Sequence, residues 1–299
     1  MGVFHEGERA VQKRAGVEAE SRSLGRGISR SIPDGAGPFL EAQRVAILAA
    51  VDPNEHVWTS LVTGNPGFIT SPDSRTLRLA AGLSPVDPLS AALSTDRELG
   101  VLVFDPERRR RLRINGRVAR SDPSTIEIRT EEVFGNCPKY IQARAPEGDA
   151  VHHRDEAARK SATLGPEQRR AIEHADTFFI ASVHAGTGAD ASHRGGQPGF
   201  VRVLDERTLH IPDYAGNNMF QTLGNITADP RVGLLFVDFG TGTTLQLTGR
   251  ARILWDREQF GQLKGADRAL EVLIDQVVEI EGKGSLGWRF LEYSPFNPR

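Results

Sequence analysis

The segment Asn65-Pro66-Gly67-Phe68 returns later in the chain as Gln197-Pro198-Gly199-Phe200, and Arg75-Thr76-Leu77 returns as Arg207-Thr208-Leu209. One residue of slippage further on, Gly100 to Asp105 lines up with Gly233 to Asp238. Leu112-Arg113-Ile114-Asn115-Gly116-Arg117 then lines up with Leu245-Gln246-Leu247-Thr248-Gly249-Arg250. The same turn residues and the same apolar alternation recur in the same order, which marks an internal duplication. Two copies are too few for a solenoid. They suit a pseudo-symmetric pair, the covalent version of a twofold dimer, and a ligand cleft between the two halves.

The length of 299 residues allows each half its own core. Short strand-like runs at Val57 to Thr63, Gly67 to Thr70, Leu77 to Ala80, Leu99 to Phe104, Leu112 to Ile114 and Thr125 to Arg129 are separated by Gly, Pro and Asp turns. This pattern predicts a sandwich or barrel. It restarts at Phe178 to Ser182 and continues through Phe200 to Leu204, Thr208 to Ile211 and Val232 to Phe239. Helices are predicted over Phe39 to Ala50, after Pro38, over Pro166 to His174, and over Asn218 to Thr227. The Gly-rich stretch from Asp190 to Gly199 reads as a turn, and Gly186 to Ala191 as part of a long hairpin loop. The expected division is an N-terminal arm over 1–37, a first domain over 38–142, a linker over 143–163 and a second domain over 164–299.

Composition narrows the function classes. A net charge of −2 gives no bulk attraction to nucleic acid or to an anionic membrane, so any anion site must be local. No apolar run is long enough to span a bilayer, and the first residues lack signal-peptide character. The single Cys137 cannot form an internal disulfide; a cytoplasmic location is expected. The basic run Arg108 to Arg111 falls beside the hairpin tip Gly240 to Thr244 in the repeat alignment and reads as a solvated turn. Gly186-Thr187-Gly188 is not followed by a helix, so it is no dinucleotide-binding loop. His152-His153 stands in the polar linker without other metal-type ligands, and no metal is expected.

The runs Phe178 to Ser182, Pro198 to Leu204, Thr208 to Pro212 and Asn217 to Phe236, with Asp229-Pro230-Arg231-Val232-Gly233-Leu234-Leu235-Phe236 as the closest match, resemble the FMN-binding split barrels of pyridoxamine 5'-phosphate oxidase-like proteins. Ser192 to Phe200 resembles a flavin-nucleotide-binding subgroup. Phe4-His5-Glu6-Gly7-Glu8 and Gly135 to Ile141 look like features of its double-barrel members. The resemblance covers the second half well and the first loosely. It implies a mainly β fold of two tandem Greek-key split barrels packed as a pseudo-dimer, with FMN held between them and redox chemistry on the flavin. It carries cofactor contact onto Ser182, Ser192, Arg194, Phe200, Arg202, Pro212, Asn217, Asn218 and Thr222, and onto Asn136 and Lys139 from the first half. The chain departs from the vitamin B6 oxidase itself: Gln221 and Thr222 stand where that enzyme has a basic pair, and its substrate signature is absent from Ser285 to Phe290.

FMN needs cations or N–H donors for its phosphate, an apolar slot for its ring and polar groups around the ring edge. Asn217 or Asn218 is expected to cap the helix whose N–H groups face the phosphate, with Arg194 and Arg202 as the cations nearest in sequence. In the first copy the equivalent helix starts at Asp87-Pro88, where a carboxylate would repel phosphate. One working site per chain is therefore expected. The expected ligands are a small-molecule substrate and a nicotinamide electron donor, with a homodimer as a further assembly and no nucleic acid or membrane partner. Cys137 has no His–acid pair beside it and reads as a buried filler rather than a nucleophile. No residue qualifies as an unambiguous acid or base. A non-catalytic flavin-binding or sensing protein, or a split barrel for haem or another flavin-like cofactor, thus remains an alternative to the oxidoreductase.

Overall fold

Val45–Val51 and Thr177–His184 are apolar at nearly every position because both of their faces are covered. In the first strand Ala46, Leu48 and Ala50 enter one barrel's core while Val45, Ile47 and Ala49 face the other barrel. The second does the same with Phe178 and Ile180 inward and Phe179, Ala181 and Val183 outward. A chain with two such strands buries three apolar layers: one per barrel and one between them.

The computed structural model describes residues 3–150, 157–261, 263–282 and 286–298; His152-His153 lies outside these. The arm forms helices α1 (Glu6–Ala15) and α2 (Glu18–Gly25), and a short α3 (Gly37–Glu41) leads into the first barrel. That barrel comprises β1 (Val45–Val51), β2 (Val57–Thr63), β3 (Ile69–Asp73), β4 (Thr76–Leu79), β5 (Glu98–Asp105), β6 (Arg110–Asp122) and β7 (Thr125–Gly135). Next come β8 (Ala143–Glu147), β9 (Ala158–Ser161) and α4 (Pro166–His174). The second barrel follows with β10 (Thr177–His184), β11 (Gly188–Gly195), β12 (Arg202–Val203), β13 (Thr208–Asp213), α5 (Gln221–Ala228), β14 (Arg231–Val237), β15 (Thr244–Leu254), α6 (Arg257–Phe260) and β16 (Arg268–Ile280). Strand β17 (Gly287–Glu292) closes the chain by pairing with β8.

The strand orders are β2-β1-β5-β6-β7-β4-β3 and β11-β10-β14-β15-β16-β13-β12, one topology used twice. The fold is thus mainly β, two tandem split barrels packed as a pseudo-dimer. Registers match as well: Ala49 sits opposite Gly100 and Thr59, as Ala181 sits opposite Gly233 and Ala191. The paired glycines let the barrels touch backbone to backbone. A Cβ on Gly100 would lie 2.5 Å from the Ala189 carbonyl oxygen, and one on Gly233 would lie 2.7 Å from that of Val57.

Several expectations about elements are corrected. Phe39 to Ala50 is not one helix: Val45 onward is a strand, since its residues are wanted on two buried faces. The stretch from Asp190 is not a turn. Gly188–Gly195 is a strand whose small residues Ala189, Ala191 and Ser192 fit the close inter-barrel contact, and the hairpin turn before it is short. Phe200 to Leu204 contributes only Arg202–Val203 as strand. The segment expected as a linker carries β8 and β9, with β9 paired to β16.

Candidate functional site

Between the barrels a cleft of about 790 Å³, open solvent at its mouth included, collects residues from five places in the chain. The start of β6 supplies Arg111, the loop after β7 supplies Asn136, Cys137, Lys139 and Tyr140, and the end of β11 supplies His193 and Arg194. Phe200, Pro212, Asp213 and Tyr214 form a further wall, and residues 216 to 218 and 220 to 223 close the cleft with the start of α5.

The cleft holds two arginines, with the Asp213 carboxylate in its wall. Among the described residues neither Arg111 nor Arg194 forms an ion pair. Arg111 Nη2 donates to the Cys137 carbonyl at 2.5 Å, while its buried Nε has no partner. Arg194 Nη1 donates to the His193 carbonyl at 3.1 Å. Burial, with Arg113 and Arg194 nearby, lowers Arg111 to about 9. Burial also lowers Arg194, with Arg113 adding to the shift and Asp213 and Asp190 opposing it. A site that disfavours its own cations in this way gains stability when an anion enters.

His193 lies between these arginines. It is only 3% exposed, its ring stacks on Phe104 at 5.1 Å and meets Phe179 edge-on, and its Nε2 has no partner. Burial and the charges of Arg111 and Arg194 hold it well below its usual range, so it is neutral. Asn136 Oδ1 is likewise buried without a partner. Leaving such groups unmatched costs about 1–3 kcal/mol each. Here they line a cleft where a ligand can match them. Tyr140 and Tyr214 lie ring to ring at 5.1 Å and offer flat apolar surface; burial and Tyr140 push Tyr214 up to about 12.

Helix α5 has Phe220 as its N-cap, in the left-handed region at φ 61°, with no side chain capping its first N–H groups. The expected cap by Asn217 or Asn218 is therefore corrected. Asn217 Oδ1 accepts from Met219 N at 3.2 Å, and Asn218 Nδ2 donates to Glu20 Oε2 at 2.7 Å. The uncapped first turn, with Thr222 in it, lines the cleft.

Of the residues singled out from sequence, Asn136, Lys139, Arg194, Phe200, Pro212, Asn217, Asn218 and Thr222 line this cleft. Ser192 stands one layer behind, where its hydroxyl meets Thr222 Oγ1 at 3.1 Å and Arg113 Nη2. Ser182 is deeper still, accepting from Asn225 Nδ2 at 3.0 Å. Arg202 is corrected: it is exposed on the edge strand β12, opposite His210, and does not line the cleft. Arg111 was read as part of a solvated turn, yet only Arg108 and Arg110 of that run are exposed. Arg111 is drawn in because β6 starts there. His193 is buried because the stretch expected as a turn is the strand Gly188–Gly195. Period-2 alternation through Ala189, Ala191 and His193 was the available signal.

His5, Glu6 and His184 bring potential metal ligands within 4.8 Å of one another. The two imidazoles are stacked at 3.8 Å and 14°, so their lone pairs run parallel rather than converging on one ion, and each Nδ1 already accepts a backbone N–H.

Residues 164–284 match the family described as Pyridoxamine 5'-phosphate oxidase. The match spans α4 and the second barrel. Among solved structures the chain is similar to HupZ of Group A Streptococcus, with 14% identity over 42% of this chain and 99% of that one, at a TM-score of 0.32. An FMN-binding protein of Syntrophomonas wolfei shares 9% identity over 38% and 84%, at 0.31. HutZ, the haem storage protein of Vibrio cholerae, shares 17% over 40% and 96%, at 0.29. No curated protein matches the sequence. No described helix is long and apolar enough to cross a membrane.

Proposed function

We propose that the cleft binds one FMN per chain, and that the protein is a flavin-dependent oxidoreductase for a small molecule other than the vitamin B6 vitamer. The observation that carries this reading is the pair Arg111 and Arg194, two cations with no ionic partner beside the uncapped start of α5. Together they suit a phosphate dianion. Asn136 Oδ1 and His193 Nε2, buried and unmatched, suit the polar edge of a heteroaromatic ring, and Tyr140 and Tyr214 suit its face. A bound flavin supplies one- and two-electron transfer; the chain's own residues bind it, orient it and keep water from its ring. Neutral His193 is a hydrogen-bonding group there rather than a charge.

Titration of the cofactor-free protein with FMN and with riboflavin tests this, since only FMN carries the phosphate. Tight FMN binding and much weaker riboflavin binding are expected; equal affinities would sink the phosphate assignment. Anaerobic reduction by a nicotinamide donor, then reoxidation by candidate acceptors, tests the enzyme reading. A haem reading is favoured by one observation, the neutral and unpartnered Nε2 of His193 in the same cleft. The visible spectrum of protein incubated with each cofactor separates the two.

A further inference from the structure

The loop that leads into α5 is held in an unfavourable shape. Asn218 (φ 59°) and Phe220 (φ 61°) are both left-handed, although neither is glycine. An L-residue is disfavoured in this region unless its surroundings impose it. This loop also sets how the first N–H groups of α5 meet the cleft, because its N-cap residue, Phe220, has no side-chain acceptor for them.

What imposes the shape comes from the other end of the sequence. Gln12 Nε2 donates to the Met219 carbonyl at 2.9 Å, and Ser21 Oγ lies 2.8 Å from the Asn218 carbonyl. Both arm side chains are buried, and Glu20 takes up the Asn218 amide at 2.7 Å. Phe4 packs with Met219 and Phe134 in a small cluster of its own, tying the same loop to the first barrel. Helix α1 can lie this close because it crosses α5 glycine to glycine: a Cβ on Gly7 would stand 2.2 Å from the Gly224 carbonyl oxygen. The arm thus reaches two consecutive carbonyls, at 218 and 219, with the single Ser21 hydroxyl proton shared between the Asn218 carbonyl and that of Val17 at 2.9 Å, and Phe4 covers the Met219 side chain between the two left-handed residues.

We infer that the N-terminal arm is a working part of the anion site, with Gln12 and Ser21 as positioning residues that hold residues 218 to 220 in the form that leaves the α5 N-terminus free for phosphate. This rests on the FMN reading above. The arm touches the loop from behind and is coupled to the ligand through the loop's backbone. Coupling of this kind is reciprocal: whatever the arm contributes to ligand affinity, the ligand returns to arm docking.

The test uses the full chain with Gln12→Ala, Ser21→Ala and both together, titrated with FMN and with riboflavin. In the double variant, loss of the buried Gln12 hydrogen bond and of the part-buried Ser21 contact is expected to weaken FMN about tenfold, while riboflavin affinity changes little. A change confined to the phosphate-bearing ligand is what general loosening of the fold would not give. Equal weakening of both ligands, or an unchanged FMN-to-riboflavin ratio in a folded variant, overturns the inference. Wild-type protein that fails to bind FMN overturns the site itself, and so is distinguishable. If the double variant does not fold, hydrogen exchange on the wild type decides: added FMN slows the amides of α1 more than riboflavin does, and no such difference overturns the inference.

Discussion

The two halves put different chemistry at equivalent places. Register equates His193 and Arg194 on β11 with Leu61 and Val62 on β2, and Arg111 on β6 with Thr244 on β15. Behind them, Arg113 and Ser192 correspond to Gln246 and Ser60. In the second-barrel cleft Arg113 meets Ser192 and pairs with Asp190 at 3.1 Å, and Thr222 Oγ1 meets Ser192. At the first-barrel counterpart Gln246 Nε2 reaches Ser60 at 2.9 Å and Asp87 at 3.0 Å, while Asp87 also accepts from Ser60 at 2.6 Å and from Leu89 N at 2.8 Å. One frame therefore carries an open cationic cleft on one side and a self-satisfied carboxylate with apolar neighbours on the other. A duplicated fold keeps its core and its inter-barrel glycines while one of its two symmetry-related sites is free to lose its ligand.

The largest effect should come from removing what only one side has. Arg111→Ala with Arg194→Ala is expected to lower FMN affinity by roughly two to four orders of magnitude, at about 1.5–3 kcal/mol per charged hydrogen bond, with little loss of stability. Isothermal titration reads this. Next is the layer behind. Arg113→Met leaves Asp190 buried without its cation and should cost about 3–5 kcal/mol in chemical unfolding. The matching Gln246→Met should cost about 1–3 kcal/mol, since it removes one neutral donor from Asp87, whose Oδ1 keeps Ser60 and Leu89 N. Equal costs would mean that the two sides do not differ as described.

A smaller effect depends on pH. Burial raises Glu8 on α1 to about 8 and Glu132 on β7 to about 7, and each also feels Asp190 on β11 as a like charge and Arg113 on β6 as an opposing one. Both carboxyls hold protons more tightly in the folded protein than free. Their contribution to stability is therefore complete below about pH 4.5 and lost as pH rises through 7 to 8. The slope is at most about 1.4 kcal/mol per pH unit for each proton. Glu8→Gln, which keeps an acceptor for His5 N, should flatten the Glu8 part of that slope in unfolding measured from pH 5 to 9. An unchanged slope would remove Glu8 from the account. Smallest of all, Arg202→Ala should leave FMN binding within a factor of about two, as befits an exposed substitution.

Much of this was legible before the fold. The repeat placed the strands because turn residues and period-2 alternation survive duplication, and it located the contrast at Asp87. Arg194 and Thr222 were legible because they lie within the stretch that resembles the family. Arg111 was not: it comes from the other half, and a run of four arginines at a hairpin gives no sign of which one turns inward. Nor was the role of α1 and α2. Their sequence is polar and charged, with few apolar anchors such as Phe4 and Val11, and their docking depends on a glycine–glycine crossing with a helix more than two hundred residues away. Asn217 and Asn218 are of the residue type that favours caps, but the helix starts later, with Phe220 at its N-cap.

The ratio of flavin to chain tests the central claim most directly. Protein saturated with FMN, freed of excess and assayed for released flavin against protein concentration, should give one FMN per chain, and the Arg111→Ala, Arg194→Ala chain should give close to none. Two FMN per chain, or one that survives loss of both arginines, would contradict a single site built on this cleft.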